Sequence, residues 1–220
     1  MLEDATSFTI AAAQGVTLTK WTRAWQDRRS EVPLTVTRTT DDTQVQVLHE
    51  GAADVSFVRL PIEDDALSVI PLYAEVPVVV LPKDHPLAER DTVTLADLEG
   101  ENHLTGDWES AIELVAANVG VVVVPQSIAR LHSRKDVEAR PVTDALETRI
   151  AMAWVTEKTT DFVDEFIGIV RGRTAHSSRS TPTPPAAPRA ATPKKVQPPR
   201  KKENQPGRTR SVRRPKRGGR

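Results

Sequence analysis

An α/β fold is predicted by three features of this sequence. Short apolar runs alternate with helically spaced apolar residues from Phe8 to Val58. Two β-branched runs, Val78-Val79-Val80-Leu81 and Val121 to Val124, are each stopped by a proline, Pro82 and Pro125. An amphipathic stripe of Val163, Phe166, Ile167 and Val170 follows near position 160. Uninterrupted apolar runs are strands covered on both faces. Proline ends such strands because it has no N–H to give the ladder.

The elements follow in order. Phe8 to Ala13 predicts a first strand, broken at Gly15. Leu18, Trp21 and Trp25 recur at helical spacing, with Thr17 as the expected cap and Arg28-Arg29 where a helix C-terminus favours cations. Pro33 precedes a second strand from Leu34 to Thr37. Asp41 or Asp42 is expected to cap a helix bearing Val45 and Leu48 and closed by Gly51, before a third strand from Ala53 to Val58. Strand and helix alternating over this distance imply a parallel, right-handed sheet. Beyond the run at Val78, Asp84-His85-Pro86 makes a turn, and Thr94 caps a short helix, Leu95 to Leu98, that stops at Gly100. Ser110 to Asn118 and Gln126 to Leu131 read as helices around the second β-branched run. Val137 to Val142 and Ile150 to Val155 read as strands, and Thr160 caps the amphipathic helix, whose early acids suit its N-terminus.

Several of these residues carry a resemblance. The run "apolar strand, Pro82-Lys83-Asp84-His85-Pro86-Leu87-Ala88, then Thr94-Leu95-Ala96-Asp97-Leu98" is similar to the effector-binding domain of LysR-type transcriptional regulators. Leu48-His49-Glu50-Gly51-Ala52-Ala53-Asp54-Val55, Leu72-Tyr73 and the stretch Leu114 to Ser127 resemble the same family, with Asn118 where glycine is usual. Asparagine tolerates the left-handed backbone better than most residues, so the departure is mild. The resemblance spans Phe8 to Val170. It implies a two-lobed, periplasmic-binding-protein-like (type 2) fold, with Val78 to Leu81 crossing between lobes. Lobe I is then expected at 8–75 and 137–173 and lobe II at 83–136, reduced because few residues separate Asn102 from Ser110. No helix-turn-helix segment precedes Phe8 in this sequence.

The formal charge of zero hides a split. Up to Arg173 there are 16 Lys and Arg against 29 Asp and Glu, a net of −13; from Thr174 there are 14 against 1, a net of +13. The chain divides into an acidic globule, 1–173, and a Pro-rich basic tail, 174–220. Cysteine is absent, which excludes disulfides and thiolate chemistry. The start, MLEDATSFTIAAAQG, has acids where a signal peptide has basic residues, and its apolar run is too short to span. A cytoplasmic protein without membrane contact is expected.

Catalytic patterns are missing. The five histidines, His49, His85, His103, His132 and His176, have no metal-ligand spacing, and there is no nucleophile elbow, P-loop or dinucleotide glycine motif. The residues predict neither an enzyme nor a cofactor. Asp64-Asp65 reads as a solvated loop pair, and Trp21 with Trp25 as core or dimer face.

In an open α/β sheet, ligands sit beyond the carboxyl ends of the strands. Those positions hold Gln14, Thr17 and Thr19 after the first strand, Thr39 and Thr40 after the second, and Arg59 after the third, with Thr105 and Asp107 across a cleft. Hydroxyls, a helix start and an arginine able to make a forked pair suit a small anionic effector. The bland alternative is ordinary caps and solvated loops.

The tail is a separate object. A proline spacer from Thr181 to Pro188 favours extended chain. Lys194, Lys195, Arg200, Lys201, Lys202, Arg208, Arg210, Arg213, Arg214, Lys216, Arg217 and Arg220 follow almost without apolar residues, a composition that does not support a packed fold. They suit the phosphates of DNA or RNA, in the loose manner of minor-groove arms. Two readings compete. One is an effector-sensing LysR-like regulator domain, expected as a homodimer. The other is a nucleoid-associated or RNA-binding protein whose α/β domain is only a dimerisation scaffold; an intracellular solute-binding protein is a third.

Overall fold

Two β-sheets, joined by two passes of the chain, organise the protein in the computed structural model, which describes residues 7–173. The strands are β1 (Phe8–Ala13), β2 (Leu34–Thr39), β3 (Val55–Leu60), β4 (Leu67–Glu75), β5 (Pro77–Pro82), β6 (Val122–Pro125), β7 (Val137–Pro141) and β8 (Thr148–Val155). The α-helices are α1 (Thr19–Arg28), α2 (Gln46–His49), α3 (Trp108–Ala116), α4 (Gln126–Leu131) and α5 (Asp161–Val170). The first sheet has the order β2-β1-β3-β8-β4 and the second β6-β5-β7.

β1 pairs in parallel with β2 and β3, as the strand-helix alternation requires, and β8 then joins β3 and β4 antiparallel. Lobe I fills one side of this sheet with aromatics. Trp25 of α1 is fully buried and stacks on Phe8 at 4.5 Å, and Phe166 of α5 meets both rings at 5.3 and 5.9 Å. The helical spacing of Trp21 and Trp25 is therefore a core stripe. Burial of one such side chain contributes about 1.5–3 kcal/mol. Thr160 caps α5 as expected, accepting from the Val163 N–H at 3.3 Å. An ion pair from Arg29 to Glu165, 2.5 Å, ties α1 to α5.

Lobe II is built on β5, which is buried along its length by the alternation of a strand. Val78 and Val80 face α3 and α4, packing on Ile112, Val115 and Ile128. Val79 and Leu81 face the opposite layer of Leu87, Val93, Leu98 and Val142. One apolar run thus serves two cores. Asn118 adopts φ 60°, the left-handed conformation anticipated for it.

Four expectations are corrected. Residues 137–141 do not return to lobe I: β7 pairs antiparallel with β5, Val78 opposite Pro141, because the free edge of β5 opposite β6 takes its backbone hydrogen bonds. β4 was not foreseen as a strand, since Pro71 interrupts its pattern. The register shifts between Pro71 and Tyr73 there, a bulge at the sheet edge where proline costs no central bond. Thr17 does not cap α1, which starts after Leu18 without a side-chain cap. Asp41 and Asp42 do not cap α2, which is a single turn preceded by Val45. Residues 174–220, including the basic positions from Lys194 to Arg220, lie outside the described residues.

Candidate functional site

A cavity of about 680 Å³ lies where the lobes face each other. From lobe I it takes Gln14, Gly15, Val16 and Thr17 after β1, Arg38 from β2 and Tyr73 from β4; from lobe II it takes Ser127, Arg130 and Leu131 of α4. Val16 turns back through its N–H to the Ala13 carbonyl at 3.2 Å, which brings this loop to the carboxyl end of β1. Arg38 donates through Nη1 to the Val16 carbonyl at 2.6 Å, so one of its nitrogens is fixed to the loop it flanks. The wall combines two guanidinium groups, one from each lobe, with hydroxyl and amide groups. Such a lining offers positive charge and hydrogen-bond donors from both lobes.

The predicted site residues divide. Gln14 and Thr17 lie in the wall, while Thr19, Thr39, Thr40, Arg59 and Thr105 do not. Thr19 is the exposed first residue of α1. Thr39 is buried, and its Oγ1 has no hydrogen-bond partner among the described residues. Thr40 is bound to Thr43, whose Oγ1 accepts from its N–H at 3.1 Å. Thr105 is exposed, and Asp107 caps α3 by accepting from the Ser110 N–H at 3.0 Å.

Arg59 makes the forked pair expected of it, but with the protein's own carboxylates. Its Nε donates to Glu75 Oε2 at 2.7 Å and its Nη2 to Glu75 Oε1 at 3.4 Å. Nη1 donates to Asp41 Oδ1 at 2.8 Å, and Nη2 also reaches the Gln14 carbonyl at 3.1 Å. The Trp108 ring covers the guanidinium, 4.8 Å from its carbon to the ring centroid. The Arg59 and Glu75 side chains are only 4% and 3% exposed. Gln44 fixes the Arg59 backbone, accepting its N–H at 2.7 Å and donating to its carbonyl at 3.0 Å. Burial pushes the Asp41 carboxyl above its ordinary value, against the pull of Arg59. Burial, and then the charge of Glu75, raise the Tyr73 hydroxyl.

Sequence reasoning missed Arg38, Tyr73, Ser127 and Arg130 as wall residues, and Glu75 as the partner of Arg59. Glu75 precedes the β-branched run by two residues and looks like any solvated acid. Only the register of β4 on β8 carries it inward. Arg130 had a usable signal, since it stands on α4 directly after a strand ended by Pro125.

The fold has solved relatives. The BenM effector binding domain with its effector benzoate superposes with a TM-score of 0.65 and 20% identity, covering 76% of this chain and 90% of that one. Full-length CbnR complexed with its target DNA gives 0.64 and 18%, over 76% and 70%. The fold is thus two-lobed and of the type 2 periplasmic-binding-protein-like kind. Residues 3–107 match the model of the LysR substrate binding domain. The HTH-type transcriptional regulator CatR of Pseudomonas putida is 34% identical, covering 53% of this chain and 50% of that protein. The Hca operon transcriptional activator HcaR of Escherichia coli (strain K12) is 26% identical, over 60% and 55%. The chain spans about half the length of the curated relatives it matches. Both of these relatives are named as transcriptional regulators. Among the described residues, no helix is long and apolar enough to cross a membrane.

Proposed function

We propose that this LysR-like domain senses a small carboxylate-bearing effector in the interlobe cavity. The observation that carries the reading is the placement of Arg38 and Arg130, one from each lobe, in the wall of one cavity beside Thr17, Ser127 and Tyr73. An anion between them interacts with both lobes at once. Arg59, saturated by Glu75 and Asp41, is replaced in this role by those two arginines. The BenM domain solved with benzoate supports an organic acid in the same fold. Self-association as a homodimer belongs to the same reading, and β2, an edge strand exposed at Thr35, Val36 and Thr37, leaves a free sheet edge for it.

The test is a thermal-shift screen of small aliphatic and aromatic acids on the full chain. A ligand at one hundred times its Kd stabilises by about 2.7 kcal/mol. Arg130→Ala, at an exposed position, should leave the unliganded melting temperature unchanged and abolish the shift. A shift that survives both Arg130→Ala and Arg38→Ala overturns the site, and no shift with any acid favours the scaffold reading.

The basic segment supplies the second half of the proposal, sequence-indifferent contact with nucleic acid. Its support is the charge split of −13 against +13. Lys and Arg read the phosphate backbone rather than base edges. Affinity for duplex DNA should fall steeply with salt, and a chain ending at Arg173 should not bind. DNA binding by that truncated chain, measured by anisotropy, would contradict this.

A further inference from the structure

Arg59 and Glu75 stand at the point where the chain passes between the lobes. Glu75 is the last residue of β4, and β5 of lobe II begins two residues later. Thr148, the first residue of β8, marks the return pass and donates through Oγ1 to Glu75 Oε2 at 3.2 Å. Lobe II reaches the same carboxylate through Ser127 of α4, whose Oγ donates to Glu75 Oε1. It reaches the guanidinium through Trp108 of α3. One carboxylate thus accepts from Arg59 on the first sheet, from the returning strand and from lobe II.

Close packing accompanies this polar junction. Gly15 has φ 81°, and a Cβ built on it would lie 2.6 Å from Ser127 Oγ and 2.9 Å from Ser127 Cβ. No side chain larger than hydrogen fits between that loop and α4. Swinging lobe II away would strip Ser127 from Glu75 and Trp108 from Arg59, and would leave buried charges with fewer partners. Buried polar networks resist such partial loss, since an unpaired group in a low dielectric is costly.

We propose that Glu75 acts as an internal latch. It occupies the Arg59 guanidinium as a ligand carboxylate would, and through Ser127 and Trp108 it holds the two lobes in one relative orientation without any ligand. The latch is a property of the unliganded protein and stands whether or not the cavity binds an effector.

The absence of cysteine makes the test direct. In the full chain, spin labels are placed at Asp27→Cys on α1 and Glu113→Cys on α3, both exposed positions in different lobes. With no added ligand, the pair should give one narrow distance distribution. Ser127→Ala, which removes the hydroxyl alone, should at least double its width. Gly15→Ala, which wedges the loop from α4, should shift its mean. Retained near-ultraviolet circular dichroism shows that each variant is folded. Glu75→Gln, isosteric and neutral, should broaden the distribution like Ser127→Ala. If it does not fold, Ser127→Ala and Gly15→Ala decide alone. Unchanged distributions in the folded variants, or a broad distribution in the parent protein, overturn the latch.

Discussion

Lobe I concentrates its core in rings: Phe8, Trp21, Trp25, Phe57, Phe162 and Phe166 form a chain of stacked and edge-on contacts between 4.5 and 6.2 Å. Lobe II, by contrast, fills both faces of a three-stranded sheet with valine, isoleucine, leucine and alanine, and its one aromatic, Trp108, lies against the other lobe's arginine. A ring places a large apolar area on one residue and adds about 0.5–1.5 kcal/mol per aromatic pair beyond burial. A β-branched core is filled by smaller side chains, each burying less apolar area. The larger sheet is therefore the rigid base. The smaller unit depends more on its caps and on its attachment to that base.

The largest expected effect tests this difference in filling. Trp25→Ala removes the hub of the aromatic chain and should destabilise by about 3–5 kcal/mol. Val79→Ala, at the centre of β5, should cost about 2 kcal/mol from the lost methyl groups. Denaturant unfolding followed by tryptophan emission measures both. The latch predicts a single transition in each, and equal losses would erase the contrast between the cores.

A smaller effect separates the lobes by pH. In lobe II, bonds from the Thr94 N–H and hydroxyl hold the Asp97 carboxyl below its ordinary value, and those from Ser110 do the same for Asp107. A depressed carboxyl stabilises the fold above its ordinary value near 4, and that contribution is lost as pH falls through the depressed one. Asp41 has the opposite sign: burial raises its carboxyl, so acidification through the raised value favours the fold there. In lobe I, Asp64 is also depressed, by His49 and the Ala66 N–H, but it lies in a loop away from the aromatic core. On acidification below about pH 4, amide exchange at the start of α3 should accelerate before that of β1. The reverse order would contradict it.

Legibility in the sequence followed burial. β1, β5, β6, α4 and α5 were readable because runs such as Val78 to Leu81 and stripes such as Val163 to Val170 are imposed by the cores they fill. β4 was not, because an edge strand with Pro71 and a bulge has no clean alternation. The position of Gln14 and Thr17 beside the cavity was legible from strand order, since a loop after β1 must lie at the carboxyl edge of the sheet. The partner of Arg59 was hidden. Pairing with Glu75 depends on the antiparallel register of β4 and β8, which no local pattern records. The same holds for Ser127, whose hydroxyl matters only because Gly15 lets α4 approach.

β8 lies between β3 and β4, so these two strands, consecutive in the chain, do not pair with each other. Sequential strands usually do. As the polypeptide leaves the ribosome, β4 emerges with its place in the sheet undefined, because the strand that will hold it is still unmade. Residues 77–142 need no such wait: β5, β6 and β7 come from one contiguous stretch and can assemble among themselves. Only when residues 148–155 arrive can the five-stranded sheet close, by threading its last strand into a gap kept open across some eighty residues. The part of the molecule with the larger core is thus the last to be finished, and until then β3 and β4 each present an unpaired edge to the cell.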